Sequence, residues 1–277
     1  TDPGKARQVD ELKQCVNMLH SNDLAVIIDV VYNHTSNKDN YLAKIDPQYY
    51  FTGGNLSGCG NDTACHRPMM RKLIVDSLCH FLSTYHVDGF RFDLSHLIDQ
   101  ENLFTPATIA TLNAAKPTPG DVLLIGENWS STRRELTGTG VAQWNDWFRE
   151  DVKAYAAGNA DRETLMKRLR GSQDRGVYAT PAEVVNYYES HDEETLAHHL
   201  EQAGYTGREE QLRRARIGAL VLYTAQGIPM LWEGQEALRN RPAQLQDYES
   251  NMLDWQLIEE NGSLVAYYRR LNQLRQA

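Results

Sequence analysis

Short apolar runs, each broken off by charged, amide or imidazole side chains, set the strongest constraint on how this chain folds. Leu24 to Ile28 runs into Asp29-Val30-Val31-Tyr32-Asn33-His34, and Val87 introduces Asp88-Gly89-Phe90-Arg91-Phe92-Asp93. Val122 to Ile125 runs into Gly126-Glu127-Asn128-Trp129. Val185-Asn186-Tyr187-Tyr188-Glu189-Ser190-His191-Asp192 and Gly227-Ile228-Pro229-Met230-Leu231-Trp232-Glu233-Gly234-Gln235-Glu236 follow the same logic. Runs this short and apolar fit buried strands. Side chains alternate across a strand, so Arg91 and Asp93 share one side while Phe90 and Phe92 share the other. A cation and a carboxylate on an apolar strand are costly unless they pair or occupy a working site. The Arg91/Asp93 segment by itself leaves both readings open. Four or five strand ends carrying polar groups form the layout of a parallel sheet whose C-terminal edges build a site.

Helical patterns separate these runs. Val9, Leu12, Val16 and Leu19 recur at helix spacing over residues 6–20, and Pro68 is placed to open a helix whose stripe is Met69, Leu73, Ile74, Leu78, Phe81 and Leu82. Further helices are expected at 106–115, 162–169, 209–225 and 264–274, and strands within 142–152 and over 182–188. Residues 129–140 read as a loop. Residues 35–66 lack helical periodicity and are rich in Asn, Gly, Asp and Tyr, and a loop that long is usually functional or disordered. Its Tyr49, Tyr50 and Phe51 serve either as ligand-stacking platforms or, as aromatic burial favours, as the segment's own core. Strands alternating with helices argue for βα units and a parallel sheet, an α/β fold.

In order and spacing the five motifs resemble those of the α-amylase superfamily of retaining glycoside hydrolases. The likeness is nearest to the pullulanase and isoamylase branch, through Ser57-Gly58-Cys59-Gly60-Asn61-Asp62 and the Val185-Asn186-Tyr187 lead-in to His191-Asp192. The resemblance implies a (β/α)8 TIM barrel over residues 1–277, with 35–66 as a lobe inserted after the third barrel strand. Only about six strands can be found, so the barrel reads as incomplete, its first strands expected ahead of Thr1. An open barrel would present two unpaired edges.

The same resemblance implies hydrolysis of α-1,6-glucosidic branch linkages in pullulan, amylopectin or glycogen. An α-1,4-glucan hydrolase, a branching or transglycosidase enzyme, or an inactive truncated carbohydrate-binding fragment are the alternatives. Retaining hydrolysis needs two carboxyl groups about 5–5.5 Å apart, one ionised and one protonated. Asp93 is the candidate nucleophile, with Arg91 on the same strand face favouring its charged form. Glu127 is the candidate acid/base, in a less polar pocket partly walled by Trp129. The resemblance assigns Asp192 to two hydroxyls of the distorted sugar, with His34 and His191 as further donors and Asn33, Arg91 and Trp129 in the substrate-binding set. Asp29 reads as a structural partner for Arg91. Trp232 and Glu236 read as structural, and Glu193-Glu194 as a solvated helix start.

Composition limits the partners. The net charge of −9 disfavours nucleic acid or an anionic membrane, both of which need basic patches, whereas a neutral α-glucan makes no such demand. No run reaches the ~18 apolar residues that span a bilayer. The chain opens on Thr1-Asp2-Pro3-Gly4 without a basic-then-apolar signal segment, which favours a cytoplasmic location. Cys15 and Cys79 fall in helical patterns and are expected as buried thiols; Cys59 and Cys65 flank a tight Gly/Asn loop and could bridge or remain free, with free thiols favoured in a domain that needs no staples. The chemistry requires no cofactor. Calcium, which takes six to eight oxygens, could draw on Asn33 and the Asp residues of 35–66.

Overall fold

A computed structural model describes residues 7–36, 40–243 and 251–277. It divides into two compact units, Thr1–Gln143 and Trp144–Ala277. The fold is α/β, with six strands among the described residues and every recorded pairing parallel.

The first unit runs α1 (Gln8–His20), β1 (Ile27–Val30), α2 (Tyr41–Ile45), α3 (Pro47–Tyr50), α4 (Pro68–His80), β2 (Gly89–Phe92), α5 (Gln100–Leu103), α6 (Pro106–Ala115), β3 (Leu123–Gly126) and the start of β4 (Ala142–Asn145). Its strands pair in chain order, with Asp29 opposite Arg91, and Phe92 opposite both Val30 and Gly126. Phe90 and Phe92 turn away from Arg91 and are fully buried among Ile74, Leu78 and Leu82 of the α4 segment, with Phe104 edge-on to Phe92 at 4.9 Å. Beyond His80 that segment widens into a π-helical turn, Phe81–Tyr85, and stops where His86 turns left-handed at φ 60°. Two residues expected in its buried stripe, Met69 and Leu73, are instead 52% and 41% exposed, and the buried face is Met70, Ile74 and Leu78.

Gly89 is required by close approach. A Cβ there would lie 2.1 Å from the Leu123 carbonyl oxygen of the neighbouring strand. Gly89→Ala is expected to cost about 1–3 kcal/mol, the range for overpacking. The check is a lower urea midpoint at unchanged slope.

The second unit contains α7 (Asp146–Ala156), α8 (Arg162–Leu169), β5 (Val184–Asn186), α9 (Leu196–Gln202), α10 (Arg208–Thr224), β6 (Ile228–Pro229), α11 (Gln256–Glu260) and α12 (Gly262–Gln276). Strands β5 and β6 pair in parallel. Its core brings together Phe148 and Val152 of α7, Leu196 and Leu200 of α9, Ala219 and Leu222 of α10, and Leu264 and Tyr268 of α12.

Two further sequence expectations are corrected, and one expected strand is joined by a helix the sequence did not show. Residues 41–50 form two short helices rather than loop: Asn40 accepts from the Ala43 amide, Asp46 from Gln48 and Tyr49, and Pro47 opens α3. Such short helices leave no periodicity to read. The stretch 142–152 holds the expected strand, and this passes directly into α7, whose first turn is capped by Asn145 accepting from Phe148 N–H. Cys15 lies on the exposed side of α1 and is not a buried thiol, and Cys79 is only half-buried. All four cysteines are free thiols.

Candidate active site

In the first unit the parallel register brings the strand ends to one level. The Asp93 amide donates to the Val30 carbonyl and the Glu127 amide to the Phe92 carbonyl, so Asp93 and Glu127 leave their strands side by side. Asp29, Arg91 and Asp93 share a face because they sit two residues apart or directly opposite.

Arg91 is the hinge of the cluster. Its Nη1 lies 2.9 Å from Asp29 Oδ1 and 2.9 Å from Asp93 Oδ1, and its Nη2 lies 2.9 Å from Glu127 Oε2. The three acids differ in exposure: Asp29 54%, Asp93 21% and Glu127 6% by side chain. Asp93 Oδ2 also accepts from Asn33 Nδ2 at 3.0 Å, and that amide nitrogen reaches the Asp93 carbonyl at 2.7 Å. The other end of Asn33, its Oδ1, meets His34 Nδ1. A cavity of about 220 Å³ opens beside this group, lined by Asn33, Thr52, Gly54, Leu56, Asp62, Thr63 and Leu97.

Glu127 Oε2 accepts from the Leu94 amide at 2.8 Å. Burial pushes its carboxyl above the usual carboxylate range, and this outweighs the opposing pull of Arg91, the Leu94 amide and a Trp129 side-chain hydrogen bond. Trp129 therefore acts on Glu127 as a polar donor as well as a wall. Its ring is covered by the Arg133 guanidinium at 4.9 Å.

Several supporting residues carried no sequence signal. Behind Glu127, Asn128 bonds to Gln143 at 2.9 Å and receives Gln100 at 3.2 Å. Glu135 accepts from Ser130 Oγ at 2.6 Å and Thr132 Oγ1 at 2.5 Å. Burial alone would raise the Glu135 pKa, but these hydroxyl donors outweigh it and hold it at about 2. His96 stands 3.4 Å from the Trp129 amide, half-buried, its pKa lowered by burial against the pull of a Glu127 backbone bond. A lone His or a scattered Gln/Asn set has no spacing that marks it in sequence.

In the 35–66 segment, Tyr50 packs into the first unit's core and Tyr49 meets it edge-on at 5.2 Å. Tyr49 also lies under Arg67 at 5.1 Å. Asp46 is engaged as a helix cap, and Asp62 accepts from Ser57 and Leu56. Asp39, another of the acids considered for calcium, lies outside the described residues. Among the described residues no group of three or more His, Cys, Asp or Glu is placed to hold a metal ion, and no helix is long and apolar enough to cross a membrane.

The second unit carries the remaining two predicted residues. His191 and Asp192 follow β5 with side chains 52% and 62% exposed, His191 Nε2 lying 3.4 Å from Asp192 Oδ2. The His191 ring stands edge-on to Trp144 at 6.4 Å, and Trp144 in turn packs on Tyr187 at 4.9 Å. Glu193 and Glu194 are ion-paired ahead of α9 rather than free at its start: Glu193 meets Arg149 at 2.6 Å and Glu194 meets His199 at 2.7 Å. Trp232 lies against the guanidinium groups of Arg239 and Arg241 at 4.7 and 4.9 Å.

Known proteins are similar to this chain in sequence and in fold. No family model matches the chain. It is 34% identical to a pullulanase of Bacillus subtilis over 96% of this chain and 42% of that protein. It is 28% identical to a glycogen operon protein GlgX homolog of Mycobacterium tuberculosis over 96% of this chain and 45% of the relative. Among solved structures, pullulanase type I from Bacillus subtilis, complexed with maltose, superimposes with a TM-score of 0.88 at 31% identity over 97% of this chain and 42% of that one. Pullulanase from Paenibacillus barengoltzii, in complex with maltohexaose and alpha-cyclodextrin, gives a TM-score of 0.87 at 30% identity over 97% and 47%. The chain thus spans less than half the length of these relatives.

Proposed function

We propose, for a chain that belongs to the α-amylase superfamily and within it to the debranching branch of pullulanases and isoamylases, that it supplies the catalytic carboxylates for hydrolysing α-1,6-glucosidic branch linkages with retention. The observation that carries the reading is the unequal treatment of two acids by one guanidinium. Arg91 contacts both, yet Glu127 is buried and pushed up while Asp93 is three times as accessible and doubly bonded by Arg91 and Asn33. Neighbouring carboxyls of unequal burial, the deeper one pushed up, are the arrangement an acid and a nucleophile need.

Glu127 Oε2 already takes the Leu94 amide and the Arg91 guanidinium, so the transferable proton belongs on Oε1. In the first step that proton passes to the glycosidic oxygen, the C1–O bond breaks, and an Asp93 oxygen bonds to C1. In the second, ionised Glu127 takes a proton from water, the water oxygen bonds to C1, and Asp93 leaves as carboxylate. Asn33 and Arg91 hold Asp93 at the angle of attack. The resemblance assigns Asp192 and His191 of the second unit to sugar hydroxyls, and contacts of that kind that tighten in the transition state raise turnover.

Product analysis tests the linkage. On this reading pullulan gives maltotriose and linear amylose stays intact. Shortened amylose would favour an α-1,4 hydrolase, transfer without net hydrolysis would favour a transglycosidase, and binding without turnover would leave a carbohydrate-binding fragment.

A further inference from the structure

The second unit contains an acid that the hydrolytic reading leaves unused. Glu189 is fully buried between the exposed His191-Asp192 pair and the end of β5. Its Oε1 accepts from the backbone N–H of Leu196, the first residue of α9, at 2.9 Å. One side chain therefore ties the two ends of the six-residue link 190–195. The far end of the link is tied again, by Thr195: its amide donates to the Arg241 carbonyl at 3.0 Å and its Oγ1 accepts from the Arg241 amide at 2.9 Å. Between these anchors only His191 and Asp192 project into solvent with side chains more than half exposed.

We propose that Glu189 is a positioning residue: by clasping Leu196 it sets where the link between β5 and α9 presents His191 and Asp192. The part of this concerning turnover rests on the hydrolytic reading above. The clasp itself does not.

The surroundings of Glu189 favour a neutral clasp. Its second oxygen, Oε2, is buried with no hydrogen-bond partner, as is Ser190 Oγ beside it. A bare carboxylate oxygen in such a place is costly, and a protonated one costs less because no net charge is buried. The groups facing it are Lys153 of α7, Glu236 and Arg239 beyond β6, Tyr188 before it, and Tyr268 of α12. Burial pushes Glu189 up to about 8, against the pull of the Leu196 amide and Lys153. Its folded pKa thus exceeds the unfolded value of about 4.3. The folded state holds the extra proton between the two values, so its contribution to stability is complete below the lower one and is lost as pH rises toward 8.

Hydrogen exchange, thermal melting and turnover on the whole chain test the clasp. In Glu189→Ala the Leu196 amide and the 190–195 link should exchange about tenfold faster or more, as loss of one buried hydrogen bond implies. The rest of the unit should stay protected, and kcat on pullulan should fall more than KM rises. Glu189→Gln keeps a carbonyl oxygen for the Leu196 amide and cannot ionise. It should restore protection and turnover, and its Tm should lose the decline between pH 5 and 8 that the parent shows. Unchanged exchange at Leu196 in Glu189→Ala would overturn the proposal, and so would faster exchange spread evenly over the unit, which marks a packing role alone. Local loosening in Glu189→Ala, with a parent chain that turns over no glucan, would keep the clasp and sink the hydrolytic reading instead.

Discussion

Glu127→Gln is expected to lower turnover of pullulan by about 10²–10⁴-fold, the usual contribution of a positioned general acid, while maltooligosaccharide binding stays measurable. The substitution preserves shape and keeps an oxygen for the Leu94 amide, but it removes the proton that the leaving oxygen needs. A glycosyl fluoride, whose leaving group needs little protonation, should recover much of the rate in Glu127→Gln. It should not rescue Asp93→Asn, which lacks the nucleophile, and the pair of results separates the two roles. The pH profile gives a second check. Burial raises Glu127 above the ordinary carboxylate range, so the alkaline limb of kcat should lie above about 4.3 and vanish in the Gln variant. Retained turnover of pullulan in Glu127→Gln would remove Glu127 from the acid role.

Arg91→Met should be the most destabilising single change in the first unit. It leaves Asp93 and Glu127 facing one another without their shared cation, and removing one member of a buried ion pair costs about 3–5 kcal/mol. At roughly 2–4 °C per kcal/mol for a domain of this size, Tm should fall by about 6–20 °C. Asp29 adds little to the loss, since its side chain is 54% exposed and well solvated. The same variant should carry Glu127 further upward, because Arg91 is the strongest influence now holding it down. Arg91→Lys should recover only part of either effect: an ammonium is a point charge and cannot bridge two carboxylates with separate nitrogens. Parent-like melting of Arg91→Met would show that the three acids find other partners.

The strand ends were readable in the sequence because they combine two signals, a short apolar run and an abrupt polar stop, that few other structures produce. Residues 106–115 and 162–169 form helices as expected, and the structure supplies their caps: Thr105 accepts from the Thr108 amide ahead of Pro106, and Asp161 accepts from the Thr164 amide. Helices α2 and α3 escaped notice because four or five residues are too few for a 3.6-residue period to repeat. Helix α7 was hidden by a strand that feeds into it without a break. The helical patterns around Cys15 and Met69 were real, but period alone does not say which residues of a stripe are covered, and both side chains are exposed.

By itself the order of residues determined that Arg91 and Asp93 share one face of a strand, that Phe90 and Phe92 oppose them, and that Asp29, Glu127 and Asp192 each stand at or beyond an apolar run. These are consequences of backbone period and local capping, which act over a few residues. Only the tertiary structure decided that Asp29 lies level with Arg91, that one guanidinium serves three acids, and that Glu127 rather than Asp93 is the one shut away from water. Register between strands and the depth of a side chain depend on contacts between segments tens of residues apart, and it is that depth which raises the proton affinity of Glu127.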